Sequence, residues 1–299
     1  MRRLLVLALI ACTVAVPLAA AVKPDRVLVG SPGQNATPGM PTTLFVSVSM
    51  LPDYRATNHF DGDSRAWQGP DYQVSDRTGK TTFDWQVTFD NGVGSAGAMA
   101  TKALVQDWKI VARPAIQVPH VVRGRQVGTI PAVAWLTEGP GDNNAQYESV
   151  LAFELCKRIF TAAQFSLLSP SSDYAASPAE PYLVKGTPSG DWNRAHALDA
   201  FGAISLDGYL PVGRVTARTA GRSITGTVRD CRQHPMPGIQ VRLMRGNAVA
   251  ARARAAADGS YRLTAPGPGA YRVVVNLAVT GKGGSGVVQE GRAASVRVR

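Results

Sequence analysis

Cysteine is scarce in this 299-residue chain: there are three, and Cys12 lies inside an N-terminal apolar run. The remaining pair, Cys156 and Cys231, is too small a set for a disulfide-framework protein. With no C-x-x-C pair and no cysteine–histidine cluster, a structural zinc site of the finger type is not indicated. Catalytic signatures are equally thin. There is no G-x-S-x-G elbow, no H-E-x-x-H helix and no phosphate loop. Thr280-Gly281-Lys282-Gly283-Gly284-Ser285-Gly286 has the wrong spacing for a phosphate loop and reads as a flexible hairpin loop. Four histidines, His59, His120, His196 and His234, are scattered. A Ser-His-Asp triad assembles from any chain order, so their scatter neither supports nor excludes one. The residues call for no cofactor, and enzymatic activity is not the expectation.

Long apolar runs are also missing beyond the first. Met1-Arg2-Arg3, the run Leu4 to Leu18 and Ala19-Ala20-Ala21 together read as a secretory signal peptide over residues 1–21, cleaved after Ala21. The run falls short of the roughly 20 residues of a membrane span. Leu9-Ile10-Ala11-Cys12 resembles a bacterial lipobox, the alternative in which Cys12 carries lipid. The apolar run continuing through Val14, Val16 and Leu18 argues against it. The expectation is an extracellular or cell-surface protein with no transmembrane segment after cleavage.

Acidic residues nearly vanish towards the C-terminus. Up to Val215 there are 18 Lys/Arg and 18 Asp/Glu; beyond it stand 14 basic residues, 13 of them arginine, against Asp230, Asp258 and Glu290. The whole net charge of +11 therefore sits there. Such asymmetry invites a polyanionic partner, with nothing to specify nucleic acid.

Helical periodicity is rare and alternation common. Leu44, Val46, Val48 and Met50, then Phe83, Trp85, Val87 and Phe89, alternate with more polar neighbours. Ile130 to Leu136, Leu151-Phe153-Leu155 and Phe165-Leu167 continue the theme, separated by Gly/Pro/Asn/Asp stretches. An all-β fold follows: an N-terminal β-sandwich or jelly-roll-like domain over residues 22–212, a linker at 213–222 and a small antiparallel β-sandwich at 223–299. A short helix is expected near Asp191 to Ala200, while Gly97 to Asp107 fits helix or strand.

The C-terminal segment is the most informative. Its runs read ITGTVRD (from Ile224), MPGIQVRL (from Met236), DGSYRL (from Asp258) and PGAYRVVV (from Pro268), with Asp258-Gly259 a hairpin signal. This order of motifs resembles the carboxypeptidase regulatory-like family, whose relatives include collagen-adhesin B-type and transthyretin-like sandwiches. The resemblance implies an accessory module of carbohydrate-binding-like fold, adhesive or structural, and brings no peptidase activity. Some adhesin relatives carry a lysine-based isopeptide crosslink. The first strand here has no lysine, so none is expected.

Strand phase turns Val241, Leu243, Tyr261, Leu263, Tyr271, Val273, Val296 and Val298 inward and Arg229, Arg242, Arg262, Arg272 and Arg297 outward. Two readings stand: a basic face docking an anionic polymer through bidentate arginine contacts, or the ordinary polar exterior of a sandwich, divided over two sheets. In the N-terminal domain Trp85, Trp108 and Trp135 belong to strand-like runs and are expected in the core. Trp67, with Tyr72 nearby, and Trp192 are candidate platforms for sugar rings, or covers for the sandwich ends. His59, Asp61 and Asp63 are candidate metal ligands, though the run lacks the later ligands of a calcium loop and also reads as a polar turn. Cys156, out of phase with Leu151, Phe153 and Leu155, is expected to face away from their core and to pair with Cys231 across the two domains, unless the two are too far apart. The favoured function is a secreted non-catalytic binding or structural protein, its ligand a polysaccharide or anionic cell-wall polymer. The alternatives are an extracellular glycan-active hydrolase with a catalytic N-terminal sandwich, and a protein–protein adhesion module.

Overall fold

The computed structural model describes residues 25–28, 39–48, 54–60, 68–76, 82–90, 94–104, 108–139, 147–156, 159–168, 194, 197–198, 200–202, 204–281, 285–293 and 295–299. Residues 1–24, where the signal peptide is expected and where Cys12 falls, lie outside them.

The protein is all-β, with one short α-helix that lies wholly among the described residues. Eleven strands form the first unit: β1 (Asp25–Leu28), β2 (Phe45–Val48), β3 (Tyr54–Phe60), β4 (Gln68–Asp76), β5 (Thr82–Asp90), β6 (Lys109–Ala112), β7 (Ala115–Val122), β8 (Arg125–Glu138), β9 (Tyr147–Cys156), β10 (Ile159–Leu168) and β11 (Ile204–Asp207). They join in one continuous sheet ordered β1-β2-β11-β7-β8-β9-β10-β5-β4-β3, with β6 on β8. The pairs are antiparallel except β11 on β7, which sets Leu206 opposite His120.

Strand β9 shows how the sequence holds this sheet. Leu151, Phe153 and Leu155 pack on one face with Val118, Ile130, Leu136 and Ile204. Val150 and Ala152 fill the other face beneath Met99 and Ala100. Those two belong to α1 (Ala96–Ala103), which settles the ambiguous 97–107 stretch. Ser95 caps the helix by accepting from the Ala98 N–H at 3.1 Å, and alanine-rich turns have high helical propensity. Trp135 is half-buried against this smaller cluster and Trp108 is half-buried just before β6, while the side chain of Trp85 lies outside the described residues. Near the expected second helix, Arg194 and Ala197–Leu198 are helical and Ala200–Gly202 form a 3-10 turn.

The second unit is a two-sheet sandwich. One sheet holds β12 (Val212–Val215), β13 (Arg218–Ala220), β14 (Ser223–Asp230) and β17 (Ser260–Thr264); β14 lies at its centre. The other holds β15 (Gln240–Arg245), β16 (Ala248–Arg254), β18 (Gly269–Thr280), β19 (Gly286–Arg292) and β20 (Val296–Val298). Between them Ile224, Val228, Val241, Leu243, Tyr261, Leu263, Tyr271, Val273, Val275 and Val298 form one core. The inward phase read from alternation holds, with Val296 half-buried.

Three details differ from the reading of the sequence. The stretch 213–222 was expected to link domains, but it carries β12 and β13, which pair with β14. Asp258-Gly259 does turn the chain tightly, with Gly259 at φ +80°, yet it arches between sheets: β16 pairs with β15 and β17 with β14. Cys156 does not face away from the core but is 3% exposed and packed within it. Ile159 pairs with Cys156 and Phe160 with Glu154, so a bulge at the end of β9 shifts the alternation by one residue.

The units are joined by main chain and by covalent bond. Gly39 donates to the Thr280 carbonyl at 2.6 Å, Thr280 to Met40 at 2.8 Å and Thr42 to Ala278 at 3.1 Å, so a first-unit segment runs along the end of β18. Tyr209 donates its hydroxyl to the Pro237 carbonyl at 2.6 Å. A disulfide links Cys156 to Cys231, their Cα atoms 6.1 Å apart.

Candidate functional site

Strand β14 alternates Ile224 and Val228 inward with Thr225, Thr227 and Arg229 outward. Register then decides which arginines share its outer face. Arg214 on β12 stands opposite Arg229, Arg218 on β13 opposite Thr225, and Arg262 on β17 opposite Thr225 from the other side. Side chains directly opposite on one face are neighbours. The result is an open groove of about 800 Å³ lined by Arg214, Arg218, Arg229, Thr225, Thr227 and Gln233, among others.

The other predicted arginines lie elsewhere. Arg242 faces Arg252 across β15 and β16, and Arg272 faces Met244 across β18 and β15, both on the opposite sheet. Arg297 stands opposite Ala270 on β20. The predicted set therefore splits over the two sheets and makes no single face. Several arginines outside the groove serve the backbone: Arg272 donates to the Gly246 carbonyl at 3.1 Å and Arg254 to Gly238 at 3.0 Å. Arg222 donates to Ala265 at 3.0 Å and also to Pro266. Arginine–carboxylate pairs among the described residues are Arg232–Glu154 at 3.9 Å and Arg292–Glu290 at 3.3 Å. Arg214, Arg218 and Arg229 are without a described carboxylate at that range, and Arg229 donates to the Gln233 carbonyl at 3.2 Å within the groove's own lining. Arg214 and Arg218 escaped the sequence reading because they fell in the supposed linker. The alternation of Arg214, Thr216 and Arg218 with Val215 and Ala217 was the available signal.

Of the N-terminal candidates, Asp61, Asp63, Trp67 and Trp192 lie outside the described residues. His59 on β3 pairs in register with Tyr72 on β4.

A second cluster brings together residues that sequence reasoning left apart. His120, on β7 of the first unit, is fully buried. It meets Asp230, at the end of β14, and His234, in the turn that follows. His120 Nδ1 lies 2.9 Å from His234 Nδ1 and 3.6 Å from Asp230 Oδ2; His234 Nδ1 is 3.8 Å from the same oxygen. The turn sets this geometry: Asp230 Oδ1 accepts from the backbone N–H of Arg232 at 2.8 Å and of His234 at 2.9 Å. Asp230 Oδ2 is buried and has no hydrogen-bond partner. His120 Nε2 donates to the Gly208 carbonyl at 2.9 Å. Gly128 makes room on the far side, where a Cβ would overlap the His234 ring. Burial holds His120 down to about 4, partly opposed by the Gly208 hydrogen bond. Burial also pushes Asp230 up to about 6 against the pull of the two backbone N–H donors. His234 is lowered, by burial first and then by Arg232. The 114-residue separation of the two histidines hid the cluster, and only the i, i+4 spacing of Asp230 and His234 was visible in the chain.

Two antiparallel sheets over one apolar core, with arginines around the central strand, define the second unit as a β-sandwich module. Residues 223–299 match the carboxypeptidase regulatory-like domain, as the C-terminal motifs led us to expect. The match leaves β12, β13 and the first unit outside it. A comparison with curated proteins finds no match. Among solved structures, one described as "Structure of Protease" is 14% identical, with a TM-score of 0.16, over 35% of this chain and 27% of that one. Another, "Biofilm associated protein - BSP domain", is 9% identical, with a TM-score of 0.22, over 82% of this chain and 53% of that one. The chain thus spans about half or less of either structure, and at such TM-scores neither likeness bears on fold or function. No helix among the described residues is long and apolar enough to cross a membrane.

Proposed function

We propose that this is an exported, non-catalytic binding protein whose C-terminal module holds an anionic polymer, an acidic polysaccharide or cell-wall polyphosphate, in the groove over β12, β14 and β13. The observation that carries the reading is the convergence of Arg214, Arg218 and Arg229 with threonine and glutamine donors in one open groove. Guanidinium groups bind carboxylate and phosphate oxygens bidentately, while hydroxyl and amide groups suit sugar hydroxyls. An open groove also suits a polymer, which can run through it. The disulfide between the two units supports a location in an oxidising compartment, in keeping with the signal peptide expected at residues 1–21.

Retention on a polyuronate and on a glycerol-phosphate polymer, measured over a salt series, tests this. Retention is expected to fall steeply with salt, and a neutral glucan is expected not to retain the protein. A charge-assisted hydrogen bond is worth about 1.5–3 kcal/mol. Arg214→Gln and Arg218→Gln should therefore each weaken binding about tenfold or more, while Arg242→Gln with Arg272→Gln on the opposite sheet should leave it unchanged. Salt-insensitive retention, or equal loss from both faces, defeats the proposal.

A further inference from the structure

The junction of the two units holds His120, Asp230 and His234, none of which the groove uses. We propose that these three side chains bind a divalent transition-metal ion of the zinc or cobalt type, clamping the module to the first unit beside the Cys156–Cys231 disulfide.

Three observations carry this. The first is distance. The donor atoms are separated by 2.9, 3.6 and 3.8 Å, and a point equidistant from atoms so spaced lies about 2.0 Å from each, which is the length of zinc–nitrogen and zinc–oxygen bonds. The second is an orphan. Asp230 Oδ2 is aimed at both imidazoles from a side chain only 1% exposed, and it has no hydrogen-bond partner. Such an atom needs an explanation, and an ion is one. The third is orientation. A carbonyl only accepts, so His120 carries its hydrogen on Nε2, towards Gly208, and its Nδ1 lone pair faces the cluster. The Nδ1 of His234 faces the same point, 2.9 Å from His120 Nδ1 and 3.8 Å from Asp230 Oδ2. With both Nδ1 atoms free of hydrogen, their lone pairs and that of Asp230 Oδ2 converge on the cation. A metal-ligating histidine usually has its other ring nitrogen fixed by such a carbonyl.

Two imidazoles and one carboxylate favour zinc, cobalt or nickel over calcium and magnesium, which take sets of oxygens. His120 comes from β7 of the first unit, while Asp230 and His234 come from the module. The ion therefore spans the junction, one residue from Cys231.

The test uses the full chain, stripped by a chelator and titrated with Co²⁺ alone, followed by visible absorption and then by Zn²⁺ competition. One equivalent is expected, with the absorption bands of a low-coordinate site, displaced by Zn²⁺, and a higher thermal midpoint in the loaded protein. Asp230→Asn keeps the side chain's size and its turn-forming oxygen, and His234→Gln alters a partly exposed turn residue. Each is expected to lower affinity about tenfold or more with an unchanged far-ultraviolet circular dichroism spectrum, while Arg242→Gln binds as the parent does. Should Asp230→Asn fail to fold, His234→Gln decides alone. Absence of saturable uptake by the parent chain, or an affinity untouched in His234→Gln, overturns the site. Neither result bears on the arginine groove, whose polymer retention is read separately.

Discussion

Tyr261 ties two parts of the module together through one hydroxyl. Its ring is buried in the sandwich core, and its O–H donates to the Thr216 carbonyl in the bend between β12 and β13. Gly226 lets this contact form, because a Cβ there would overlap the same carbonyl. Burial pushes the phenol's pKa up from its usual 10.0. The unfolded chain therefore gives up this proton at a lower pH than the folded one. The stabilisation is complete below the unfolded value and is lost as pH rises towards the folded one. The urea midpoint of the parent protein should accordingly fall as pH rises past about 10, more steeply than that of Tyr261→Phe. At neutral pH the variant should be less stable by about 1 kcal/mol, the net worth of a hydrogen bond. Parallel pH profiles for the two proteins would contradict this account.

At the scale of elements, β12 and β13 belong energetically to the module. Val212, Val215 and Ala217 pack against its core, and Thr216 N–H donates to the Thr227 carbonyl at 3.0 Å. In the full chain, Val215→Ala should cost about 1 kcal/mol for the apolar surface it withdraws, read as a lower urea midpoint. An unchanged midpoint would return this stretch to the role of a linker. The same strands show what the sequence could reveal. Where a strand buries one face, as β15 and β17 do, period-two alternation placed Val241, Leu243, Tyr261 and Leu263 correctly. Where two strands are only three or four residues long, glycine and arginine swamp the alternation, and Val212 to Ala220 read as a connector. Strand β9, apolar on both faces, announced a strand but not which neighbours would cover it. The bulge beside Leu155 left no trace in composition, so the side of Cys156 was misjudged. The groove was legible only in part, through Arg229 among its three arginines. Its remainder depends on register across β12, β13 and β14, which no local pattern encodes. The histidine cluster depends on how two units dock, a still longer-range property.

At the scale of the whole molecule, the docking of module on first unit is fixed at several independent points. Main-chain hydrogen bonds hold Gly39 to Thr42 along the end of β18, and Tyr209 anchors to Pro237. The disulfide adds a covalent tie across a sequence separation of 75 residues. Closing a loop of that size removes about 4 kcal/mol of conformational freedom from the unfolded chain in the entropy model. Reduction, or Cys156→Ser with Cys231→Ser, should therefore lower the urea midpoint substantially. The native far-ultraviolet spectrum should persist, since both cores are complete without the bridge. Mass spectrometry of unreduced peptides should recover the Cys156 and Cys231 peptides joined. Two free thiols in the oxidised protein, or a midpoint indifferent to reductant, would remove the bridge from this account. The units would then be held by non-covalent contacts alone, and His120 would lose the covalent tether that keeps it beside Asp230 and His234. Metal affinity should for the same reason weaken in the reduced protein, because a ligand from one unit must then find its two partners on a more loosely docked neighbour.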